Sequence, residues 1–206
     1  MKIFFDVGAE LGLTTIPLAK ANPDTLFYAI EPNPHMVAHL KKESAGLENY
    51  LIFQYAASNF TGKAKFNVCT EHPGICSLLE FKKDAKKNWN APNFPIFTDE
   101  VYEVDVICLE DFIAEHKIEH IDYFHCDAQG SDLNVLKGLG DKIHIIKEGQ
   151  VESEYLKDSL YVNQNTYGDT AKFLAEKGFE IVKVDSEGGF RECNIKFRKT
   201  ALTFSI

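Results

Sequence analysis

The chain has 206 residues, of which 45% are hydrophobic and 26% charged, a composition that suits one folded domain with a sizeable core and excludes a disordered polypeptide. Asp and Glu number 31 against 22 Lys and Arg, so the formal charge of −9 repels phosphate backbones and nucleic acid is not the expected substrate. No apolar run spans a membrane, the opening MKIFFDVG lacks the parts of a signal peptide, and the five cysteines have no C-x-x-C spacing, so a cytoplasmic chain with reduced thiols is expected.

Lys2 to Val7 is a short apolar run that meets a Gly-rich turn, and Thr14 to Ala21 reads as a helix stopped by Asn22 and Pro23. Thr25 to Ile30 returns to strand. Pro34 to Ala45 has helical spacing, with Asn33 placed to cap it and Gly46 to end it. Tyr50 to Ala56 is the expected third strand, which makes the opening β-α-β-α-β and implies a parallel sheet with helices on its faces. Lys63 to Val68 alternates as an edge strand would.

Residues 71–100 contain Pro73, Pro92 and Pro95 and the single Trp, Trp89, an irregular stretch of the length used for lids and binding loops. A substrate-facing segment is expected there, with His72 and Trp89 as candidates to meet the acceptor. Its lysines, Lys82, Lys83, Lys86 and Lys87, read as a solvated face.

Val101 to Cys108 is extended, Leu109 to Glu115 a short helix, and Ile121 to Asp127 a strand with an acid at its carboxyl end. A turn through Gln129 and Gly130 leads to a helix from Asp132 to Lys137. Strand character returns at Gln150 to Glu152, followed by a helix from Thr170 to Lys177. Phe179 to Val184 and Asn194 to Phe204 form a terminal antiparallel hairpin. The expected fold is therefore α/β: a Rossmann-like, doubly wound, mostly parallel sheet with a C-terminal antiparallel hairpin, in one domain over 1–206.

Asp6-Val7-Gly8-Ala9-Glu10-Leu11-Gly12 lies between the first strand and the first helix, where glycines permit a tight turn close to a ligand. Glu31 ends the second strand about twenty residues later, where doubly wound folds place an acid that accepts both hydroxyls of a ribose. Dinucleotides and S-adenosylmethionine both suit that geometry. The acids Asp6 and Glu10 would repel a pyrophosphate but suit an ammonium and a sulfonium, and the middle glycine of G-x-G-x-x-G is missing. The methyl donor is therefore preferred over NAD and the oxidoreductase it would imply.

With these residues in hand, the chain resembles the FkbM family of S-adenosylmethionine-dependent methyltransferases along nearly its whole length. The matching blocks are FDVGAELG, AIEPNP at Ala29 to Pro34, YAASNFTGKAKF at Tyr55 to Phe66 and CSL at Cys76 to Leu78. They continue with VDVICLEDFI at Val104 to Ile113, HCDAQGSDLNVLKGL at His125 to Leu139 and VESEY at Val151 to Tyr155. The resemblance implies that Asp6, Gly8 and Gly12 hold the methionine end, with Thr15 nearby. It also implies that Glu31 holds the ribose and that Ala57 and Ser58 border the adenine. It implies O-methylation of a hydroxyl on a glycan or a natural-product-like acceptor. The chain departs from the family pattern at His125-Cys126-Asp127-Ala128, at Asp132 and at Glu10.

Methyl transfer to a hydroxyl needs alignment and a base. Asp127 and Glu152, at the ends of neighbouring strands, are the candidates for the base, and His125 for a proton relay. A divalent cation bridging the two carboxylates would be an alternative, without any local metal motif to call for it. Tyr155, Tyr161 and Tyr167 are candidates for the acceptor wall, with packing the simpler reading. Small-molecule or glycan acceptors are the expected partners, and a homodimer is an admitted arrangement. A non-catalytic, cofactor-binding partner subunit is the rival outside enzymology.

Overall fold

The computed structural model describes residues 1–88, 96–155, 160–187 and 191–200. Trp89, Pro92 and Pro95 and the last residues of the expected hairpin lie outside them. In chain order the elements are β1 (Lys2–Val7), α1 (Thr15–Ala21), β2 (Thr25–Ile30), α2 (Pro34–Glu43), β3 (Tyr50–Phe53), β4 (Ala56–Ser58) and β5 (Gly62–Val68). They continue with α3 (Ala85–Asn88), β6 (Glu100–Cys108), α4 (Leu109–Glu115), β7 (Ile121–Cys126), α5 (Asp132–Lys137), β8 (Ile146–Glu154), α6 (Tyr167–Glu176), β9 (Phe179–Glu187) and β10 (Glu192–Lys199).

The main sheet runs β3-β2-β1-β7-β8-β10-β9. Its first five strands are parallel, and β10 runs antiparallel to both neighbours, inserted between β8 and β9. The chain leaves β1 toward one edge and returns on the other side as β7, so the winding reverses between them and opens a crevice above their carboxyl ends.

Apolar residues on both faces of the strands explain the layers. On one side Ala9, Ile16, Ala19, Phe27, Leu40 and Tyr50 join α1 and α2 to β2 and β3. On the other, Phe5, Phe124, Phe112, Leu136 and Leu174 join α4, α5 and α6 to the sheet. Phe5 and Phe124 are completely buried, each contributing about 1.5–3 kcal/mol of hydrophobic stabilisation. The fold is thus the α/β, Rossmann-like, mostly parallel sheet with a terminal antiparallel pair expected from the sequence.

One expected strand divides. Tyr50 to Ala56 is not continuous, because the Tyr55 N–H turns back to the Phe53 carbonyl at 3.1 Å, a tight three-residue turn at Gln54. The chain then leaves the main sheet, and Ala56–Ser58 pairs in parallel with β6 in a second sheet of order β4-β6-β5. This small sheet forms a wall beside the crevice.

Helix ends follow local chemistry. The Asn33 side chain accepts the His35 N–H at 3.0 Å with Pro34 in the first turn, as the sequence indicates. Helix α6 starts three residues earlier than expected, at Tyr167, because Thr166 and Asp169 form a reciprocal capping box.

Candidate active site

The crevice holds a pocket of about 650 Å³, part of it open to solvent. One wall is the loop after β1, through Gly8 and Glu10, and the next is Glu31, Pro32 and Met36. Tyr55, Ala56 and Ala57 come from the small sheet, Pro73, Gly74, Cys76 and Leu78 from the irregular segment, and Asp127 to Gln129 from the end of β7. Pro73, Gly74, Cys76 and Leu78 are the residues of the 71–100 segment that line the pocket among the described residues.

Gly8 is required twice over. Its φ of +83° is left-handed, and a Cβ there would lie 1.9 Å from the Asp127 carbonyl oxygen. The turn after β1 and the turn after β7 thus touch through bare backbone. Gly12, at φ +65°, sits where a Cβ would strike Ile16 and Leu40 at 2.7 Å, so it permits helix packing beneath the pocket and does not line it.

The loop's amide donors are largely committed. Gly8 and Ala9 N–H both point at the Ile30 carbonyl, at 2.9 and 3.3 Å, and Gly12 N–H at the Ala9 carbonyl. Glu10, in a left-handed conformation at φ +47°, donates its N–H to Glu31 Oε2 at 2.9 Å. Glu31 Oε1 accepts the Asn33 N–H at 2.8 Å. Two backbone donors therefore hold the buried carboxylate at the mouth of β2, each oxygen retaining a free lone pair. Burial outweighs those donors and pushes the Glu31 carboxyl up to about 7. The Glu10 carboxyl is also raised, by burial first and by Asp127 second, against a lowering influence from His72.

Beyond β7 the acids converge. Gln129 Nε2 donates to Asp127 Oδ1 at 2.6 Å and to Glu152 Oε2 at 3.1 Å, so one amide bridges the two sequence-predicted carboxylates. Burial, then the nearby Asp127 and Asp132, push the Glu152 carboxyl well above the ordinary range. Only Asp127 of the pair lines the pocket; Glu152 lies behind it. Asp132 holds the turn, accepting Ala128 N–H at 2.7 Å and Gly130 N–H at 3.1 Å. Its burial pushes it up to about 7.

His125 is brought to Asp6 rather than to Asp127, with Nδ1 2.8 Å from Asp6 Oδ1. Burial acts to lower the imidazole pKa, but the Asp6 bond and charge, with Asp127 and Asp132 beyond, outweigh it and the net shift is upward. The other Asp6 oxygen accepts the Thr15 hydroxyl at 2.6 Å, and that hydroxyl also meets Tyr50 Oη at 2.9 Å. Asp6, Thr15 and His125 thus form a buried brace under the loop, outside the pocket wall. Ala57 lines the pocket and Ser58 is buried beside it.

Where a bridging cation between Asp127 and Glu152 would sit, the Gln129 amide stands. Among the described residues no group of three or more His, Cys, Asp or Glu side chains is placed to hold a metal ion. Tyr161 is buried, stacks on Phe81, and donates to the Ile75 carbonyl at 2.8 Å and toward Gln129 Oε1 at 3.0 Å. Tyr155 and Tyr167 pack on each other away from the pocket. Gln129, Cys76, Leu78 and Met36 are among the pocket residues that sequence reasoning did not assign. The signal for Gln129 was its place in the turn after a strand-terminal acid.

A family model described as the methyltransferase FkbM domain matches residues 6–189. No curated protein matches the chain. Among solved structures, a protein of the NADB-Rossmann superfamily from Streptococcus agalactiae aligns with TM-score 0.53 at 15% identity, over 99% of this chain and 64% of that one. TrmK from M. capricolum, in complex with S-adenosyl-homocysteine, aligns with TM-score 0.51 at 13% identity, over 96% and 62%. Fibrillarin from Aeropyrum pernix, with natively bound S-adenosyl-L-methionine, gives 0.52 at 11% identity, over 95% and 65%. The chain spans less than two thirds of the length of each of these, and at such identities the likeness is one of fold.

Proposed function

The chain belongs to the FkbM methyltransferase family, and on that premise we propose that it transfers the methyl group of S-adenosylmethionine to a hydroxyl of a glycan or small natural-product-like acceptor. The observation that carries this reading is the doubly anchored Glu31 carboxylate beside a loop whose amides are already committed. A pyrophosphate needs free N–H donors or cations at that loop. Here Gly8, Ala9, Glu10 and Gly12 donate inward, and among the described residues no Lys or Arg lines the pocket. Two like unit charges near 4 Å repel by about 4 kcal/mol at an effective dielectric near 20, so Glu10 and Asp127 disfavour a diphosphate and favour a cationic nucleoside.

In this reading Glu31 accepts the ribose hydroxyls, and Gly8 lets the ligand approach the loop. Ala57 and its apolar neighbours border the adenine. Asp6, Gly12 and Thr15, supported by His125 and Ser58, fix the shape from behind. The bound cofactor supplies an electrophilic methyl group on a sulfonium. Asp127 serves as the base that takes the acceptor's proton, and Glu152 behind it is joined to it through the Gln129 amide. The acidic pocket and the chain's net charge of −9 support a neutral acceptor over a polyanion.

Calorimetry with S-adenosylhomocysteine and NAD tests the cofactor half. Binding of the first and not the second is expected, and the reverse would end the reading. Release of S-adenosylhomocysteine across a panel of hydroxyl acceptors tests the reaction, and cofactor binding without turnover on any of them would favour a non-catalytic subunit.

A further inference from the structure

We propose that Gln129 is a positioning residue of the transfer reaction: its side-chain amide orders the Asp127–Glu152 pair and ties it, through Tyr161, to the turn that borders the pocket. The inference rests on Asp127 being the base. A neutral amide with its Nε2 between two carboxyl groups can satisfy both only by donating one N–H to each, and the observed bonds to Asp127 Oδ1 and Glu152 Oε2 do this. The remaining polar atom, Oε1, faces the Tyr161 hydroxyl, which also bonds the Ile75 carbonyl. The Gln129 carbonyl accepts the Ser77 hydroxyl at 2.7 Å, and that hydroxyl accepts the Leu79 N–H at 3.0 Å. Four hydrogen bonds thus tie one residue to the base, to its buried neighbour and to the segment carrying Cys76 and Leu78.

The backbone supports the assignment independently. Gln129 has φ +47°, a left-handed conformation that glycine adopts freely and a glutamine adopts at a cost of about 1–2 kcal/mol. Glycine at 129 would relieve that cost and lose every side-chain bond. A residue kept in an unfavourable conformation beside a pocket, with its amide fully used, fits a functional constraint better than a turn requirement.

Chemically, the amide fixes the Asp127 carboxyl at the pocket wall and donates to Glu152, whose carboxyl burial and the neighbouring acids push upward. Glu10, His125, Cys126, Asp132, Glu192 and Tyr161 are the other titratable groups that face the pair. Asp127 and Glu152 also hydrogen-bond each other directly, and Gln129 is the side chain that donates to both. Removing the amide leaves two carboxyls competing for one proton.

The test is a 13C NMR titration of the side-chain carboxyls in wild type, Gln129→Met and Gln129→Glu, assigned with Asp127→Asn and Glu152→Gln. In Gln129→Met the pH at which the pair first ionises is expected to rise by about one to two units, the scale of losing a hydrogen bond to a charged group. Gln129→Glu keeps the volume and an oxygen for Tyr161 but removes both donors, and should raise it further. Should Gln129→Met fail to fold, Gln129→Glu carries the test. A first ionisation unmoved in a folded variant would overturn the role of Gln129. S-adenosylhomocysteine affinity is measured in parallel: its absence in wild type would overturn the cofactor reading, and full turnover in Asp127→Asn the base reading, without touching the titration result.

Discussion

Taking the protein from about pH 5 to about pH 8 is expected to destabilise it, because carboxyl groups that burial pushes upward hold their protons longer in the folded state than in the unfolded one. For Glu31 the ordinary carboxyl value of 4.5 rises to about 7 on folding. Between those values the folded chain binds the extra proton, so stability is fully present below 4.5 and is lost as pH rises through 7. At about 1.4 kcal/mol per pH unit, the shift amounts to roughly 3 kcal/mol from this one side chain. Glu154, pushed by burial up to about 8, acts in the same direction and extends the window. For a domain of this size, 3 kcal/mol corresponds to a change of about 6–12 °C in Tm. Thermal melts of wild type and Glu31→Gln across this range provide the assay. The wild type should melt highest on the acidic side, and Glu31→Gln, uncharged throughout, should show a shallower slope. A wild-type Tm that rises with pH, or an unchanged slope in Glu31→Gln, would refute the placement of Glu31 as a buried carboxyl without a cation.

Two further substitutions address the crevice. Gly8→Ala combines a left-handed backbone costing about 1–2 kcal/mol with a Cβ that cannot coexist with the Asp127 carbonyl, so the two turns must part. A displacement near 1 Å predicts about a hundredfold weaker S-adenosylhomocysteine binding by calorimetry, and retained affinity would show that the turns can separate freely. Asp127→Asn preserves an oxygen for the Gln129 amide but removes the basic group. Turnover should fall by about 10²–10⁴ with Tm near wild type, and cofactor affinity should fall far less than turnover.

Much of the fold was legible because Gly8, Glu31 and Asp127 mark the ends of the strands that meet at the crevice, and the longer helices carry one apolar face. The division of Tyr50 to Ala56 was not, since the turn at Gln54 has no proline or glycine to mark it and both halves remain strand-like. The place of β10 between β8 and β9 is a matter of sheet order, which hairpin patterning leaves open. At the site, Glu31 and Gly8 were legible from spacing. The partners of His125 and Thr15 were not, because the register that sets His125 directly opposite Asp6 on the neighbouring strand, and the packing that brings Thr15 of α1 to it, have no local mark in the sequence. Gln129 was hidden for a related reason: its role comes from three segments far apart in the chain that meet only after the sheet closes.

The doubly wound sheet offers its switch point to many ligands, so the selection must be made by local bonds. In this chain the decisive one is the Ile30 carbonyl, which takes both the Gly8 and Ala9 amides. That acceptor closes the loop to anions, and the Glu10 amide, turned toward Glu31, fixes an acid where a nucleoside's sugar would lie. Carboxylates gathered without cations would be costly in a pocket meant to stay empty. They become favourable when a positively charged ligand enters, so part of the protonation that stabilises the apo fold at low pH should be released on binding.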